Sequence, residues 1–282
     1  MLTLETLPAL ATSLATALLA NKAGLAAGQP LPALSLQVRT VPIERRSVER
    51  YRAFFGFAAP LPIAWLYLPV QRAQLALINR SDFPLRALGL IHVANSISLI
   101  EPLDPAAGLS VTVQVGQQKI RRHGRQFELV AELEQGGRLK AEIASTYLAR
   151  TASAGRTPEA SGAASPPRSC EARTAIEVPA AMAWRYARLS GDWNPIHLHR
   201  WLARPLGLRQ PIAHGMCVAA LALASLEKQA GRSASRFDAQ FLRPLPLSTR
   251  AGCFAIEPTG PDEARAQVEV DGRCAQIVSA RF

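Results

Sequence analysis

Tyr186-Ala-Arg-Leu-Ser-Gly-Asp-Trp-Asn-Pro-Ile-His197 is the most informative stretch of this sequence, and Ile212-Ala-His-Gly-Met216 follows it closely. Residues 178–189 have the apolar spacing of a helix, and Gly191 suits the cap that follows a helix. Asn194 precedes a proline, which pushes its backbone out of the helical region. The pattern therefore predicts a helix followed by a short loop rich in polar side chains.

That loop brings together the residue types needed for acid–base chemistry. Asp192, Asn194 and His197 supply a carboxylate, an amide and an imidazole within one short segment. An imidazole titrates near neutrality, and a partly desolvated carboxylate can be tuned towards the same range. The sequence has no nucleophile elbow of the GxSxG type, so we expect the pair to activate a water molecule rather than to form an acyl-enzyme.

Gly215 complements the acid–base pair because it precedes a long apolar run, 216–226, that is predicted to be a buried helix. The first N–H groups of a helix have no partner inside the helix, and they stabilise negative charge. A glycine there allows a carbonyl oxygen to approach the backbone closely. Together these features predict addition of water to a double bond conjugated to a carbonyl group, or the reverse elimination.

Outward from this segment, the chain divides into two similar parts. A Pro-, Ser- and Ala-rich stretch at 151–169 is predicted to be a linker between residues 1–150 and 170–282. Each part has one helix that is apolar nearly all round, at 63–78 and 216–226, and several runs with period-2 alternation. These runs are typical of antiparallel strands, and they lie at 109–115, 127–133, 143–148, 252–256, 266–270 and 275–279. The expected fold class is α+β, with a curved antiparallel sheet around one buried helix in each part.

Composition limits the partners and the compartment. The net charge is +11, spread over both halves, and aromatic residues make up only 6% without a recognisable nucleic-acid-binding motif. We therefore expect a phosphate-bearing ligand or an acidic carrier protein, and no nucleic acid. Four cysteines without a CxxC pair favour a reducing cytoplasm over a disulfide scaffold. The apolar stretch 4–20 is predicted to be a packed N-terminal helix, not a targeting segment or a membrane span.

The segment 186–197 and the following His-Gly-Met closely resemble the signature of the MaoC-like dehydratases, the (R)-specific enoyl-CoA hydratase family. The resemblance covers 170–282 well and 1–150 more loosely, as in double-hotdog members. It implies a double-hotdog fold with a non-catalytic first half, because the positions matching Asp192 and His197, counted from Tyr51, are Phe57 and Pro62. It further implies reversible hydration of a trans-2-enoyl thioester to an (R)-3-hydroxyacyl thioester, with CoA favoured as carrier and acyl-carrier protein as the alternative.

The resemblance also assigns roles to individual residues. Asp192 and His197 would hold and activate the water, and Asn194 would orient them. Gly215 would donate its N–H to the thioester oxygen. Ser190 and His214 would support the loop, and no cofactor is implied beyond the CoA that belongs to the substrate.

Other interpretations of these residues stay open. His197 and His199 form an HxH pair that, with Asp192 and His214, resembles a metal site, although we expect no metal. Arginine suits a clamp for CoA phosphates, and the candidates are Arg200, Arg204, Arg209, Lys119 and Arg121. The protein could instead be a non-catalytic acyl-thioester binder, an assembly partner or a hotdog thioesterase. A homodimer of the whole chain also stays open.

Overall fold

A computed structural model describes residues 1–26, 28–121, 124–150, 173–204 and 208–282, with the backbone alone at 173–177 and 249–258. The predicted linker at 151–169 lies outside the described residues, so its prediction stays open. Within the described part of the chain, no helix is long and apolar enough to cross a membrane.

The contacts divide the chain into two compact units. The first unit comprises Met1–Val48 and Trp65–Gly155, and the second comprises Glu49–Ala64 and Arg156–Phe282. Residues 49–64 are early in sequence but belong by their contacts to the second unit. The second unit is therefore assembled from two separate stretches of sequence, whereas the predicted domain 1–150 was continuous.

The first unit is a six-stranded sheet with one long helix packed against it. The strand order is β1-β2-β4-β5-β6-β3, and every neighbouring pair is antiparallel except β1 and β2. Helix α3 packs on β2 and β4. Its elements are β1 (Leu2–Thr6), α1 (Leu10–Leu19), β2 (Ser35–Val41), α3 (Tyr67–Asn79), β3 (Leu90–Leu99), β4 (Leu109–Arg121), β5 (Gly124–Gln135) and β6 (Arg138–Arg150). Between β2 and α3 the chain forms α2 (Arg45–Phe55) and a 3-10 turn (Ile63–Leu66), whose residues 49–55 and 63–64 belong to the second unit.

Alternation along the strands buries one face of this sheet. In β5, Phe127, Leu129, Ala131 and Leu133 are fully buried, and the residues between them are partly accessible. A period of two residues places these four side chains on one face, which is the face that an apolar helix covers. The predicted strands in this part of the sequence are confirmed, with longer bounds.

The second unit repeats the arrangement with five strands. Their order is β8-β11-β10-β9-β7, antiparallel throughout, and helix α6 packs on β8, β10 and β11. The elements are β7 (Arg173–Val178), α4 (Ala180–Ser190), a 3-10 turn (Pro195–His197), α5 (Arg200–Ala203), α6 (Gly215–Ala230), β8 (Arg236–Phe241), β9 (Thr249–Gly260), β10 (Glu263–Val270) and β11 (Arg273–Arg281).

Helix α6 is buried on nearly all sides, as its apolar sequence predicts. It ends at Ala230, one turn later than expected, and the Glu227 carboxylate in its last turns accepts a hydrogen bond from the N–H of Ala234. Burial raises the pKa of the Glu227 carboxyl. Gly231 then closes the helix in the left-handed conformation, at φ 68°.

The N-terminal prediction is corrected in part. The stretch 4–20 is not one helix, because Leu2–Thr6 pairs in parallel with β2 and only Leu10–Leu19 is helical. Pro8 lies between the two elements, and its carbonyl accepts a hydrogen bond from Arg72 at 2.9 Å. Strand pairing with a distant segment satisfies the first backbone groups, and local apolar content gives no sign of that.

Candidate active site

The loop after α4 is held in place by a chain of local hydrogen bonds. Gly191 takes the left-handed conformation at φ 77° and ends the helix. The Ser190 hydroxyl donates to the carbonyl of Tyr186 at 2.8 Å and accepts from the N–H of Asp192 at 3.1 Å. The predicted supporting role of Ser190 thus has a specific geometry: it ties the start of the loop to the last turn of α4.

Asp192 and Asn194 continue this ordering. The N–H of Asn194 donates to Asp192 Oδ1 at 3.2 Å, and the N–H of Ile196 donates to Asn194 Oδ1 at 3.3 Å. The Asn194 side chain therefore caps the 3-10 turn on which His197 lies, with Pro195 in its first position.

The His197 imidazole is buried and has a defined tautomer. Its Nδ1 lies 2.8 Å from the carbonyl oxygen of Ile212. Because a carbonyl can only accept, Nδ1 carries the hydrogen and Nε2 keeps its lone pair. Burial, reinforced by the neighbouring His214, lowers the pKa of His197 to about 3, although Asp192 opposes the shift. His197 is therefore a neutral acceptor at physiological pH.

His214 connects the loop to the start of α6. It is the residue before the helix, and its Nε2–H donates to the carbonyl of Asp192 at 3.0 Å. Its ring stacks on that of His197 with centroids 3.8 Å apart and planes at 28°. Burial lowers the pKa of His214 as well. This geometry suits a residue that orders the loop.

Gly215 begins α6 at a position where a side chain does not fit. A Cβ atom there would lie 2.9 Å from Cδ1 of the Phe241 ring. The Gly215 carbonyl accepts a hydrogen bond from Gln276 at 3.3 Å, which fixes this end of the helix to β11. The first N–H groups of α6 therefore start beside His214, where they can act on a developing negative charge.

One carboxylate oxygen of Asp192 and one ring nitrogen each of His197 and His214 all lie within 4.8 Å of one another. A water that donates to two acceptors at ordinary hydrogen-bond lengths spans about 4.5 Å between them. The same three residues form a group that could hold a metal ion, so the metal interpretation of the sequence applies to them as well. His199 takes no part, since its Nδ1 accepts from the N–H of Trp201 at 3.3 Å.

An aromatic cluster behind the site escaped the sequence-based assignment of roles. Tyr186 is 1% exposed, and its ring centroid lies 4.9 Å from that of His214. Phe55, from the early segment 49–64, packs against Tyr186 at 6.1 Å, and Tyr51 stacks on Phe57 at 6.0 Å. Burial raises the pKa of Tyr186 well above its usual value. Tyr51 and Gly56 have the same five-residue spacing as Tyr186 and Gly191, and this repeat in the sequence could have singled out the two tyrosines.

The basic candidates separate into two groups. Arg200, Arg204 and Arg209 are exposed and follow the loop in the second unit. Lys119 and Arg121 are exposed near the end of β4, in the first unit, where Arg121 donates to Gln126 at 3.2 Å. The first group therefore lies in the same unit as the candidate site and follows it in sequence, whereas the second group lies in the other unit.

Comparison with known proteins gives a consistent result. The family model described as "MaoC like domain" matches residues 162–256. The chain is 28% identical over 237 residues to 3-hydroxyacyl-thioester dehydratase X of Mycobacterium tuberculosis, covering 82% of each chain. It is 29% identical over 215 residues to 3-hydroxyacyl-thioester dehydratase Y of the same organism, covering 67% of this chain and 73% of that protein.

Solved structures agree on the fold. The crystal structure of HtdX from Mycobacterium tuberculosis matches with a TM-score of 0.72 at 24% identity, covering 88% of this chain and 99% of that one. The predicted fold class, an α+β double hotdog, is confirmed.

Proposed function

We propose that this chain, whose residues 162–256 match the family model described as "MaoC like domain", catalyses the reversible hydration of a trans-2-enoyl thioester to an (R)-3-hydroxyacyl thioester. The observation that carries the proposal is the grouping of a carboxylate and an imidazole within 4.8 Å, beside the N-terminus of a buried helix. Its relatives' names, 3-hydroxyacyl-thioester dehydratases X and Y, describe the same class of reaction.

In the hydration direction, one water would donate hydrogen bonds to the Asp192 carboxylate and to Nε2 of His197. Both groups are acceptors, because Nδ1 of His197 is committed to the Ile212 carbonyl. The water oxygen forms a bond to Cβ of the enoyl group while one of its protons passes to this pair. The proton is then delivered to Cα, so the pair ends the cycle as it began.

The electrons of the double bond move towards the thioester carbonyl during the addition. The N–H of Gly215 and the N-terminus of α6 would stabilise the negative charge on that oxygen. Because Gln276 and Phe241 fix this end of the helix, the donor is positioned before the substrate arrives. Dehydration follows the same steps in reverse.

The carrier, the cofactor requirement and the cellular location belong to the same proposal. CoA is the favoured carrier, as part of the substrate, and no separate cofactor is required. Among the described residues Cys217 and Cys274 are free thiols, which supports the proposed reducing, cytoplasmic location. The proposed acyl-thioester substrate would place the enzyme in fatty acid metabolism.

Absorbance of crotonyl-CoA in the ultraviolet tests the function directly. Hydration removes the conjugated chromophore and leaves the thioester intact, so absorbance falls without release of a free thiol. Thiol release at the same rate would identify a thioesterase. Saturable binding of crotonyl-CoA with neither change would identify an acyl-thioester-binding protein. Chiral analysis of the 3-hydroxyacyl product tests the (R) configuration separately.

A further inference from the structure

A short helix beside the candidate site exposes large apolar and basic side chains. Arg200, Trp201, Leu202 and Arg204 form what we call the α5 surface. Trp201 is 58% exposed and Leu202 is 49% exposed, whereas Ala203 on the opposite side of the helix is fully buried. The helix is thus anchored by its inner face and presents an indole and an isobutyl group to solvent.

The arginines of the α5 surface are organised around the indole. The Cζ atom of Arg200 lies 5.0 Å from the Trp201 ring centroid, and that of Arg204 lies 4.9 Å from it. This stacking restricts both guanidinium groups and leaves their N–H edges available for carboxylates. An aromatic anchor flanked by arginines is typical of the energetically dominant parts of protein interfaces.

The charged residues in the sequence around α5 are all basic. No Asp or Glu occurs between Asp192 and Glu227, while Arg200, Arg204 and Arg209 all fall in that interval. All three arginines are exposed. The segment around α5 therefore favours an acidic partner.

We propose that the α5 surface docks an acidic protein that carries the acyl group as a thioester on a phosphopantetheine arm. The inference rests on the proposed function and names, for the same site, a carrier protein, which is the alternative to CoA. The surface carries an exposed indole and an exposed leucine on a short helix, which suits a protein partner, whereas small ligands are held in concave sites. Since α5 contacts the 3-10 turn that carries His197, a partner docked there would lie beside the candidate catalytic residues.

Kinetics with one acyl group on three carriers tests the proposal. The crotonyl group is supplied on an acidic acyl-carrier protein, on CoA and on N-acetylcysteamine, which has neither protein nor phosphates. The variants are Trp201→Ala and the double change Arg200→Glu with Arg204→Glu. Lys228→Glu is the control, because this exposed lysine lies at the other end of α6 from Gly215.

We expect both α5 variants to lower kcat/KM for the carrier-protein substrate by about 10–100-fold, mainly through KM. Their kcat/KM for the N-acetylcysteamine thioester should stay within about twofold, which also shows that they fold. Lys228→Glu should behave as the unmodified chain with all three substrates. The carrier-protein reaction should slow with added salt more than the other two, because steering between opposite charges is screened.

Three results would overturn the docking proposal. Equal losses with CoA and the carrier protein would assign the arginines to CoA phosphates. Unchanged kinetics with the carrier protein would remove any role for the surface. A change in oligomeric state of the α5 variants, measured by light scattering, would assign the surface to a second copy of this chain.

Direct binding separates this proposal from the proposed function. The dissociation constant of the crotonylated carrier protein is measured by fluorescence anisotropy with Asp192→Asn, which leaves α5 intact. Binding that depends on Arg200, Arg204 and Trp201 supports docking even if no thioester is hydrated. Activity with the N-acetylcysteamine thioester but no binding of the carrier protein overturns docking and leaves the hydratase proposal standing.

Discussion

The imidazoles of His197 and His214 are stacked with their centroids 3.8 Å apart. The Nε2–H of His214 donates a hydrogen bond to the backbone carbonyl of Asp192. The Nδ1–H of His197 donates to the carbonyl of Ile212, so its Nε2 carries a lone pair. Two positive rings at this distance would repel each other in a buried site, so each ring favours the neutral form of the other. Burial and, to a smaller extent, the neighbouring His214 therefore keep the candidate base unprotonated, which is the state that water activation needs.

Removing either member of the candidate acid–base pair should abolish most of the activity without unfolding the protein. We expect Asp192→Asn and His197→Asn to lower kcat for crotonyl-CoA hydration by about 10²–10⁴-fold. The asparagine at 197 can still donate to the Ile212 carbonyl, so the loop should stay ordered. Circular dichroism and thermal unfolding provide the control. Near-normal rates in both folded variants would refute the site assignment.

The pH dependence of the rate follows from the lowered pKa of His197. A histidine with the ordinary pKa of 6.5 would lose about tenfold of its base form by pH 5.5. Because the pKa of His197 is lowered to about 3, kcat/KM should stay nearly constant between pH 7 and pH 5.5. A rate that falls with an apparent pKa near 6.5 would contradict a buried, neutral His197.

Unlike the rate, the stability of the fold should fall as the pH is lowered below about 6.5. Below pH 6.5 the unfolded chain binds protons at His197 and His214, whereas the folded chain does not until the pH approaches the lowered pKa values. The free energy of unfolding should therefore fall, by up to about 1.4 kcal/mol per pH unit for each histidine. Urea unfolding between pH 7 and pH 5 measures the slope, and His214→Gln should reduce it.

Gly215→Ala tests the requirement for a bare backbone at the start of α6. The added Cβ would lie 2.9 Å from the Phe241 ring, and overpacking of this kind costs about 1–3 kcal/mol. We expect a lower melting temperature together with lost activity. Adding Phe241→Leu should restore stability, because the smaller side chain relieves the contact. If the single variant is as stable as the unmodified protein, the close approach of Phe241 is not a constraint.

The hydroxyl of Tyr186 is buried and makes no hydrogen bond of ordinary geometry with the described residues, although the nearby Ser190 side chain acts to lower its pKa. Leaving a buried polar group unpaired costs about 1–3 kcal/mol. Tyr186→Phe should therefore be at least as stable as the unmodified chain by urea unfolding, and it should retain the stacking against His214. A matched Tyr186→Leu variant, which loses the ring, should be less stable. Marked destabilisation by Tyr186→Phe would show that the hydroxyl has a partner.

Much of the architecture was predictable from the sequence because it depends on local periodicity. The alternating runs in β4, β5, β6, β10 and β11 and the apolar helices α3 and α6 all follow from side-chain spacing. The parallel pairing of β1 with β2 could not be predicted, because the two strands are about thirty residues apart and no local pattern specifies their pairing. Pairing between distant strands is set by the assembled sheet.

The candidate site shows the same division. The motif placed Asp192, Asn194 and His197 on one loop, and the structure groups Asp192 and His197 with His214. The ring stack and the tautomer of His197 were not predictable, because they depend on where the Ile212 carbonyl falls after folding. The aromatic support of Tyr186 by Phe55 was hidden because these residues are far apart in sequence.

The division of the second unit between 49–64 and the C-terminal part of the chain has a consequence for inheritance. A gene fragment encoding only residues 170–282 would lack Phe55, the aromatic neighbour that covers Tyr186. Recombination that exchanged parts of the chain within residues 151–169 would separate Tyr186 from Phe55. Residues 49–64 and 170–282 have to be inherited together for this contact to form, and mutations at 49–64 are constrained by a site more than a hundred residues downstream.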